Sequence, residues 1–199
     1  MEPSPRKKKS KLLMLIVGVA IAVLVTSAIL YRLSTGTPVS SQLNASPNDV
    51  VLNVGTQYPG MIDVVGGTLD ANGTTLNITI NVRDPVSSLG DGETAQWNMT
   101  VILENSTDVL KTYVISAEMN SAQLTGSIVD VGTQSVQSCQ VQYYRNSLTV
   151  LAIMDELPNA RTVEWNVLTS YEQYSEGQLV TSASDLAPAE GLQTTVLNP

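Results

Sequence analysis

The sequence contains no histidine and no phenylalanine, and it has a single cysteine, Cys139. The absence of histidine removes the commonest general base and the commonest ligand of transition metals. With one cysteine, no disulfide can form within the chain, whereas extracellular eukaryotic domains of this size often carry some. This pattern favours a prokaryotic or archaeal surface. Cys139 lies in a segment that alternates between apolar and polar residues, and we therefore predict that it is a small buried apolar residue.

Basic residues are scarce beyond residue 32, where Arg83, Lys111, Arg145 and Arg161 face seventeen acidic residues. The resulting net charge of this region is near −13. Such a charge argues against nucleic acid and against anionic lipid headgroups as partners. It is typical of a solvated outer surface.

A long uncharged segment, Leu12 to Tyr31, precedes the acidic region and is bracketed by Lys11 and Arg32. As a helix, its twenty residues would extend about 30 Å, the thickness of the hydrocarbon layer of a bilayer. We therefore expect a transmembrane signal-anchor over residues 12–31, with the lipid bilayer as its partner. Because residues 1–11 hold five basic side chains, the positive-inside rule predicts a cytoplasmic N-terminus and an extracellular remainder.

Two alternatives to an uncleaved anchor remain open. A cleaved signal peptide has an apolar region of about 7–15 residues that ends at a small-x-small site, but here apolar residues continue past Ser27-Ala28 to Tyr31. A prepilin-type signal requires a cleavage site between the basic residues and the apolar segment. The sequence Lys9-Ser10-Lys11 is a poor match to such a site.

From about Asp49 onward, the sequence consists of short runs of β-branched residues separated by Gly, Asn, Asp and Pro. This pattern predicts strands. Thr75–Val82 alternates strictly between apolar and polar residues, which indicates one buried and one wet face. About eight such strands, with no amphipathic helix beyond the anchor, predict an antiparallel two-sheet β-sandwich whose bulky core includes both tryptophans. The predicted organisation is a basic tail (1–11), the anchor (12–31), a Ser/Thr/Pro-rich stalk (32–48), the β-sandwich domain (49–192) and an irregular tail (193–199).

The residues Asp70–Gly73 before Thr75–Val82 predict a hairpin turn, with Met61–Val65 as the partner strand. The other predicted strands are Val51–Val54, Trp97–Leu103, Lys111–Ser116, Gly126–Val131, Ser135–Tyr144, Ser147–Met154 and Val163–Val167.

Five Asn-x-Ser/Thr sequons make the outer region a candidate glycoprotein. Two of the asparagines fall on the predicted wet face of a strand, two in turns and one in the stalk, where a bulky glycan is sterically permitted. The alternative is that they are exposed polar residues that are never modified. The candidates are Asn44, Asn72, Asn77, Asn98 and Asn105.

The acidic residues Asp84, Asp91 and Glu93 lie around one loop and are candidate Ca²⁺ ligands, because Ca²⁺ takes six to eight oxygens. Their spacing matches no Ca²⁺ loop signature, so solvated turn carboxylates are the favoured interpretation. No other metal and no organic cofactor is expected.

No catalytic signature is present in the sequence. There is no G-x-S-x-G, no H-E-x-x-H and no P-loop, and Lys111 is the one lysine beyond the anchor that could serve as a base. A glycosidase needs two carboxylates, but nothing singles out a pair among seventeen. We therefore expect no catalytic residues and no enzymatic activity.

Short motifs between Met61 and Leu192 resemble the β-sandwich modules grouped around DOMON domains and family-nine carbohydrate-binding modules. The resembling segments are Met61–Val65, Leu76–Val82, Trp97–Leu103, Trp165–Val167 and Asp185–Pro188. The resemblance implies binding of a sugar, haem or Ca²⁺. Haem sites of DOMON domains usually use histidine, which is absent here, and sugar sites need exposed aromatic residues, for which Tyr171 and Tyr174 are the candidates.

The leading expectation is a membrane-anchored cell-surface protein with a binding or structural role and a surface glycan or protein as partner. The first alternative is a carbohydrate-binding module. The second is a filament or surface-layer subunit that assembles by strand addition, in which the apolar segment Thr194–Leu197 would join a neighbour's sheet.

Overall fold

The computed structural model describes residues 39–121 and 123–197. The predicted anchor, 12–31, lies outside these residues, and within them no helix is long and apolar enough to cross a bilayer. The described chain forms strands joined by turns and two short 3-10 turns, Gly60–Ile62 and Leu157–Asn159. The strands are β1 (Val39–Asn44), β2 (Val51–Val54), β3 (Val64–Asn72), β4 (Thr75–Val82), β5 (Glu93–Glu104), β6 (Val109–Asn120), β7 (Leu124–Asp130), β8 (Val136–Ser138), β9 (Gln140–Tyr144), β10 (Ser147–Ile153), β11 (Thr162–Ser175), β12 (Gln178–Ala187) and β13 (Gln193–Val196).

The strands form two antiparallel sheets, which confirms the predicted all-β class and the β-sandwich. Sheet A has five strands in the order β1-β3-β4-β10-β9. Sheet B has eight, in the order β2-β12-β11-β5-β6-β7-β8, with β13 pairing with β11 beside β12. The prediction of about eight strands was too low, because several strands carry few large apolar residues.

The core lies between the inner faces of the two sheets. Trp97 and Trp165 are both fully buried, as predicted, and the indole nitrogen of Trp97 donates a hydrogen bond to the carbonyl of Met61 at 3.2 Å. The four apolar residues of β4 are also fully buried, since its alternation directs them all inward. Burial of these side chains supplies the main favourable term in folding.

The hairpin before β4 was predicted correctly, but its first strand was placed too early. Met61–Val65 was expected as the partner, whereas the strand is β3, which begins at Val64 and pairs with β4 as far as Asn72↔Thr75. Gly66 and Gly67 weaken the strand pattern of β3 in the sequence. A Cβ on Gly67 would lie 2.8 Å from the carbonyl oxygen of Thr79, so this close approach of backbones excludes a side chain.

The predicted limits of the β-sandwich domain, residues 49 and 192, both require correction. Residues 39–44 were assigned to the stalk, but they form β1, which pairs with β3 and buries Leu43. Residues 193–199 were expected to be an irregular tail, yet Gln193–Val196 form β13 and Leu197 is buried. The segment Thr194–Leu197 therefore pairs within its own domain in this structure.

Two segments cross from one sheet to the other at opposite edges of the sandwich. β1 continues into β2 at one edge, and β8 continues into β9 at the other. The predicted single strand Ser135–Tyr144 is thus divided at Cys139, where the chain turns the corner. Cys139 is partly buried rather than fully buried, and burial raises the pKa of its thiol.

Candidate functional site

A groove of about 480 Å³ opens at the end of the sandwich where β5 begins and β11 ends. We call it the end groove. Glu93 is the first residue of β5, and Gln173 lies opposite it on β11. Its lining also includes Tyr58, Pro59, Tyr171 and Thr181.

The carboxylate of Glu93 is at the centre of the polar network in the end groove. Its Oε1 accepts hydrogen bonds from the Tyr171 hydroxyl at 2.8 Å and from the Gln173 carboxamide at 3.3 Å. Its Oε2 accepts one from the backbone N–H of Gly90 at 2.6 Å. The Thr181 hydroxyl in turn donates to Oε1 of Gln173 at 3.2 Å. These bonds restrain the polar groups that line the groove.

The two tyrosines predicted to stack on a sugar have different environments. Tyr171 is 5% exposed, so its ring packs in the core and only its hydroxyl reaches the groove, which corrects the expectation of a stacking surface. Burial, together with the Glu93 carboxylate, raises the pKa of Tyr171, so the phenol remains a hydrogen-bond donor. Tyr174 is 44% exposed, but it is not part of the groove lining, and its hydroxyl donates to Glu172 at 3.1 Å.

The predicted Ca²⁺ ligands do not come together as a set. Glu93 belongs to the end groove, Asp84 lies 3.7 Å from the guanidinium of Arg83, and Asp91 is exposed in the turn before β5. Within residues 39–121 and 123–197, the carboxylates that do converge are Asp49, Asp63 and Asp185, whose oxygens lie within 4.8 Å of one another. We call these three residues the carboxylate cluster.

Asp63, which is fully buried, is the best-satisfied member of the carboxylate cluster. Its Oδ2 accepts a hydrogen bond from the guanidinium of Arg83 at 2.8 Å. The backbone nitrogen of Asn48 lies 3.1 Å from both carboxylate oxygens. Arg83 also donates to the Asn48 side chain at 2.7 Å and lies 5.4 Å above the ring of Tyr58. The ion pair thereby fastens the connection between β1 and β2 to the end of β4, next to the end groove.

Asp185 is buried, and it forms no ion pair with a basic side chain of the described residues. Its Oδ2 accepts the backbone N–H of Val64 at 2.7 Å, which ties the end of β12 to the start of β3. Burial is the main cause that raises the pKa of Asp185 to about 6, and the charges of Asp49 and Asp63 raise it as well. The hydrogen bond from Val64 acts in the opposite direction and lowers this pKa. The cluster therefore stores electrostatic repulsion at neutral pH.

A second ion pair lies at the opposite end of the sandwich. Lys111 contacts Asp130 at 2.6 Å beside a small pocket of about 200 Å³ that also contains Asp155 and Glu156. The hydrogen bond from Lys111, with help from the backbone of Thr133, lowers the pKa of Asp130 to about 2, and the pairing raises the pKa of Lys111. A lysine held protonated in this way is poorly suited to act as a general base.

The five sequon asparagines all lie at the surface or partly exposed, at strand ends, on outer strand faces or in a turn. Asn44 ends β1, so it belongs to the domain and not to a stalk. Asn72 ends β3, and Asn77 faces outward on β4. The side chain of Asn98 accepts a hydrogen bond from Ser116 at 2.7 Å, and that of Asn105 closes its turn by accepting the backbone N–H of Thr107 and Asp108.

Two of the five segments that carry the sequence resemblance, Met61–Val65 and Asp185–Pro188, contact each other. The opening segment around Asp63 and the closing segment around Asp185 meet through the Val64–Asp185 hydrogen bond. Comparison of the chain with protein-family models, with curated proteins and with solved structures finds no match.

Proposed function

We propose that this protein is a membrane-tethered cell-surface binding module, and that its end groove holds a neutral, hydroxyl-rich ligand such as a carbohydrate. The observation that carries the proposal is the hydrogen-bonded network around Glu93. The membrane tether is inferred from the apolar segment 12–31 and the basic residues before it.

The chemistry of the end groove suits sugar hydroxyls. A carboxylate has about four lone-pair sites, and three donors already occupy Glu93, which leaves one acceptor site for a ligand hydroxyl. The described residues that line the groove include no lysine or arginine, and Arg83, which lies over Tyr58, is already paired with Asp63, so an anionic ligand would lack a counter-charge. Tyr58 and Pro59 supply an apolar wall, as ligand sites commonly combine such walls with a few fixed polar groups.

The same lining favours binding over hydrolysis. Glycoside hydrolysis uses two carboxyl groups about 5–9.5 Å apart, one as acid and the other as nucleophile or base. Glu93 is the one carboxylate in the described lining of the end groove, and its hydrogen bonds restrain it. We therefore assign the groove a recognition role.

Glycan-array screening of the full-length protein in nanodiscs, followed by calorimetry with the best ligand, tests the proposal. Glu93→Gln removes the charge that orders the network, and Tyr171→Phe removes one hydroxyl while keeping the buried ring. Because hydrogen bonds to charged groups contribute about 1.5–3 kcal/mol, we expect Glu93→Gln to weaken binding about tenfold or more.

Tyr174→Ala is the matched control, since it deletes an exposed tyrosine outside the groove and should leave the affinity unchanged. The groove proposal is refuted if no glycan binds, or if Tyr174→Ala weakens binding as much as Glu93→Gln does.

The tether makes a separate prediction. In membranes washed with alkaline carbonate, the full-length protein should remain in the pellet, and a variant that lacks residues 12–31 should appear in the supernatant. Recovery of the intact full-length chain in the supernatant would contradict a transmembrane anchor.

A further inference from the structure

β13 occupies a distinctive position beside β11. Its four residues pair with Thr162–Trp165, the first part of β11, and β12 pairs with the remainder of the same side from Val167 onward. The segment 188–192 connects β12 to β13. β13 is thus a short element placed in a gap that β12 leaves open.

The strands β11 and β13 each carry a buried polar group that lacks a hydrogen-bond partner. Within residues 39–121 and 123–197, two buried side-chain polar atoms have no hydrogen-bond partner, namely Trp165 Nε1 and Thr195 Oγ1. Trp165 lies on β11 and Thr195 on β13. The other core indole, that of Trp97, is satisfied by the carbonyl of Met61. Both unsatisfied groups of the described core therefore lie on the two strands of one pairing.

Unsatisfied buried groups favour separation of these two strands. When β13 undocks, water can hydrogen-bond the Thr195 hydroxyl, so the docked strand bears the desolvation cost of that group. The attachment that opposes undocking is small. Thr194 and Val196 face solvent, which leaves Thr195 and Leu197 as the inward-facing side chains. By comparison, β11 pairs with β5 over twelve residues. β13 is accordingly placed to open locally while the rest of the sheet persists.

We propose that β13 exchanges between copies of this chain, so that β13 of one molecule pairs with β11 of a second in the register Thr162↔Val196 to Trp165↔Gln193. A second copy fits this place because it supplies the identical strand, and no new surface has to be created. Residues 193–197 carry no charge, so their transfer is not opposed by the acidic surface of the acceptor. The proposal relies on the membrane tether for a high local concentration, and it is independent of the end groove.

Engineered cysteines can distinguish exchange from a closed domain. Glu164 and Thr194 lie directly opposite each other on the outer face of β11 and β13, and cross-strand neighbours are within the Cα separation that a disulfide bridges. We would introduce Glu164→Cys and Thr194→Cys together, with Cys139→Ser to remove the native thiol. The full-length protein is then incubated in vesicles at low and high density, oxidised, and separated without reductant.

Exchange predicts disulfide-linked dimers and longer ladders whose fraction rises with protein density. The matched control places the pair on β5 and β11 as Gln96→Cys with Ser170→Cys, which also face each other on the outer side. This control should give intrachain disulfides alone. Intrachain disulfides alone from the Glu164/Thr194 pair at every density, or equal ladders from both pairs, would overturn the proposal.

A second variant tests the cause of the exchange. Thr195→Val removes the unpartnered hydroxyl while keeping the shape of the side chain, so it should stabilise the docked strand equally in the closed and exchanged molecules and slow the appearance of linked species about tenfold without changing their final fraction. Thr194→Val, which changes the solvent face of the same strand, should have little effect. If Thr195→Val leaves the rate of ladder formation unchanged, the unsatisfied hydroxyl is not what opens the strand. Because the readout needs no ligand, absence of glycan binding would leave this result intact.

Discussion

Asp63→Ala is expected to lower the free energy of unfolding by about 3 kcal/mol, the lower end of the loss that follows when one partner of a buried ion pair is removed, because the side chain of Arg83 is 32% exposed. Asp63 is fully buried, and its carboxylate receives both the guanidinium of Arg83 and the backbone N–H of Asn48. The substitution leaves the N–H of Asn48 without its acceptor and removes the buried charge that faces Arg83. Since small domains are stable by about 5–15 kcal/mol, this loss would remove a large fraction of the total stability.

Urea unfolding of the full-length protein, followed by the fluorescence of Trp97 and Trp165, measures this effect. Both indoles are fully buried, so their emission should report loss of the core. The matched control is Asp84→Ala, which removes a carboxylate that also contacts Arg83 but has a side chain that is 58% exposed. Exposed ion pairs contribute about 0–1 kcal/mol, so Asp84→Ala should be nearly neutral. Equal destabilisation by the two substitutions would show that the burial of Asp63 does not account for the loss of unfolding free energy.

The fold class follows from the sequence wherever strands present large apolar residues at every second position. β4 is the clearest case, because its four inward positions are Leu, Ile, Ile and Val, and its predicted bounds agree with the structure. β12 shows the opposite case, since its inward residues are Thr181, Ala183, Asp185 and Ala187. Its pattern of small and polar residues carries no strand signal, and the neighbouring strands determine its conformation. β1 has the same difficulty, with Leu43 as its one buried residue.

The candidate site could be predicted only in fragments. Glu93 and Tyr171 were both singled out, one as a Ca²⁺ ligand and the other as a stacking surface, but their hydrogen bond joins residues 78 positions apart. That contact depends on the pairing of β5 with β11, which local pattern does not specify. An aspartate between apolar neighbours at position 63 was a signal of a buried charge. Its counterpart Asp185 is brought near by a contact that spans 121 residues, so no local spacing could reveal the carboxylate cluster.

Asp185→Asn is expected to stabilise the protein at neutral pH and to remove part of its pH dependence. Burial raises the pKa of Asp185 from 3.8 to about 6, so in this pH range the folded state binds a proton that the unfolded state has released. The contribution of Asp185 to stability therefore falls as pH rises from about 4 to about 6, and the full penalty persists at pH 7. A difference of about two pKa units corresponds to about 3 kcal/mol, and relaxation of the cluster would reduce it to about 1–3 kcal/mol.

Asparagine can still accept the hydrogen bond from Val64, but it carries no charge to repel Asp49 and Asp63. Unfolding free energies of the wild type and of Asp185→Asn, measured from pH 4 to 7.5, should therefore diverge with rising pH, with the variant more stable at pH 7. Asp49→Asn is the control, because it removes the exposed member of the cluster and leaves the buried carboxylate titratable. Asp130 titrates separately, since its lowered pKa adds stability that is lost only as pH falls towards about 2. A variant that keeps the wild-type slope between pH 4 and 6 would show that Asp185 is not the titrating group.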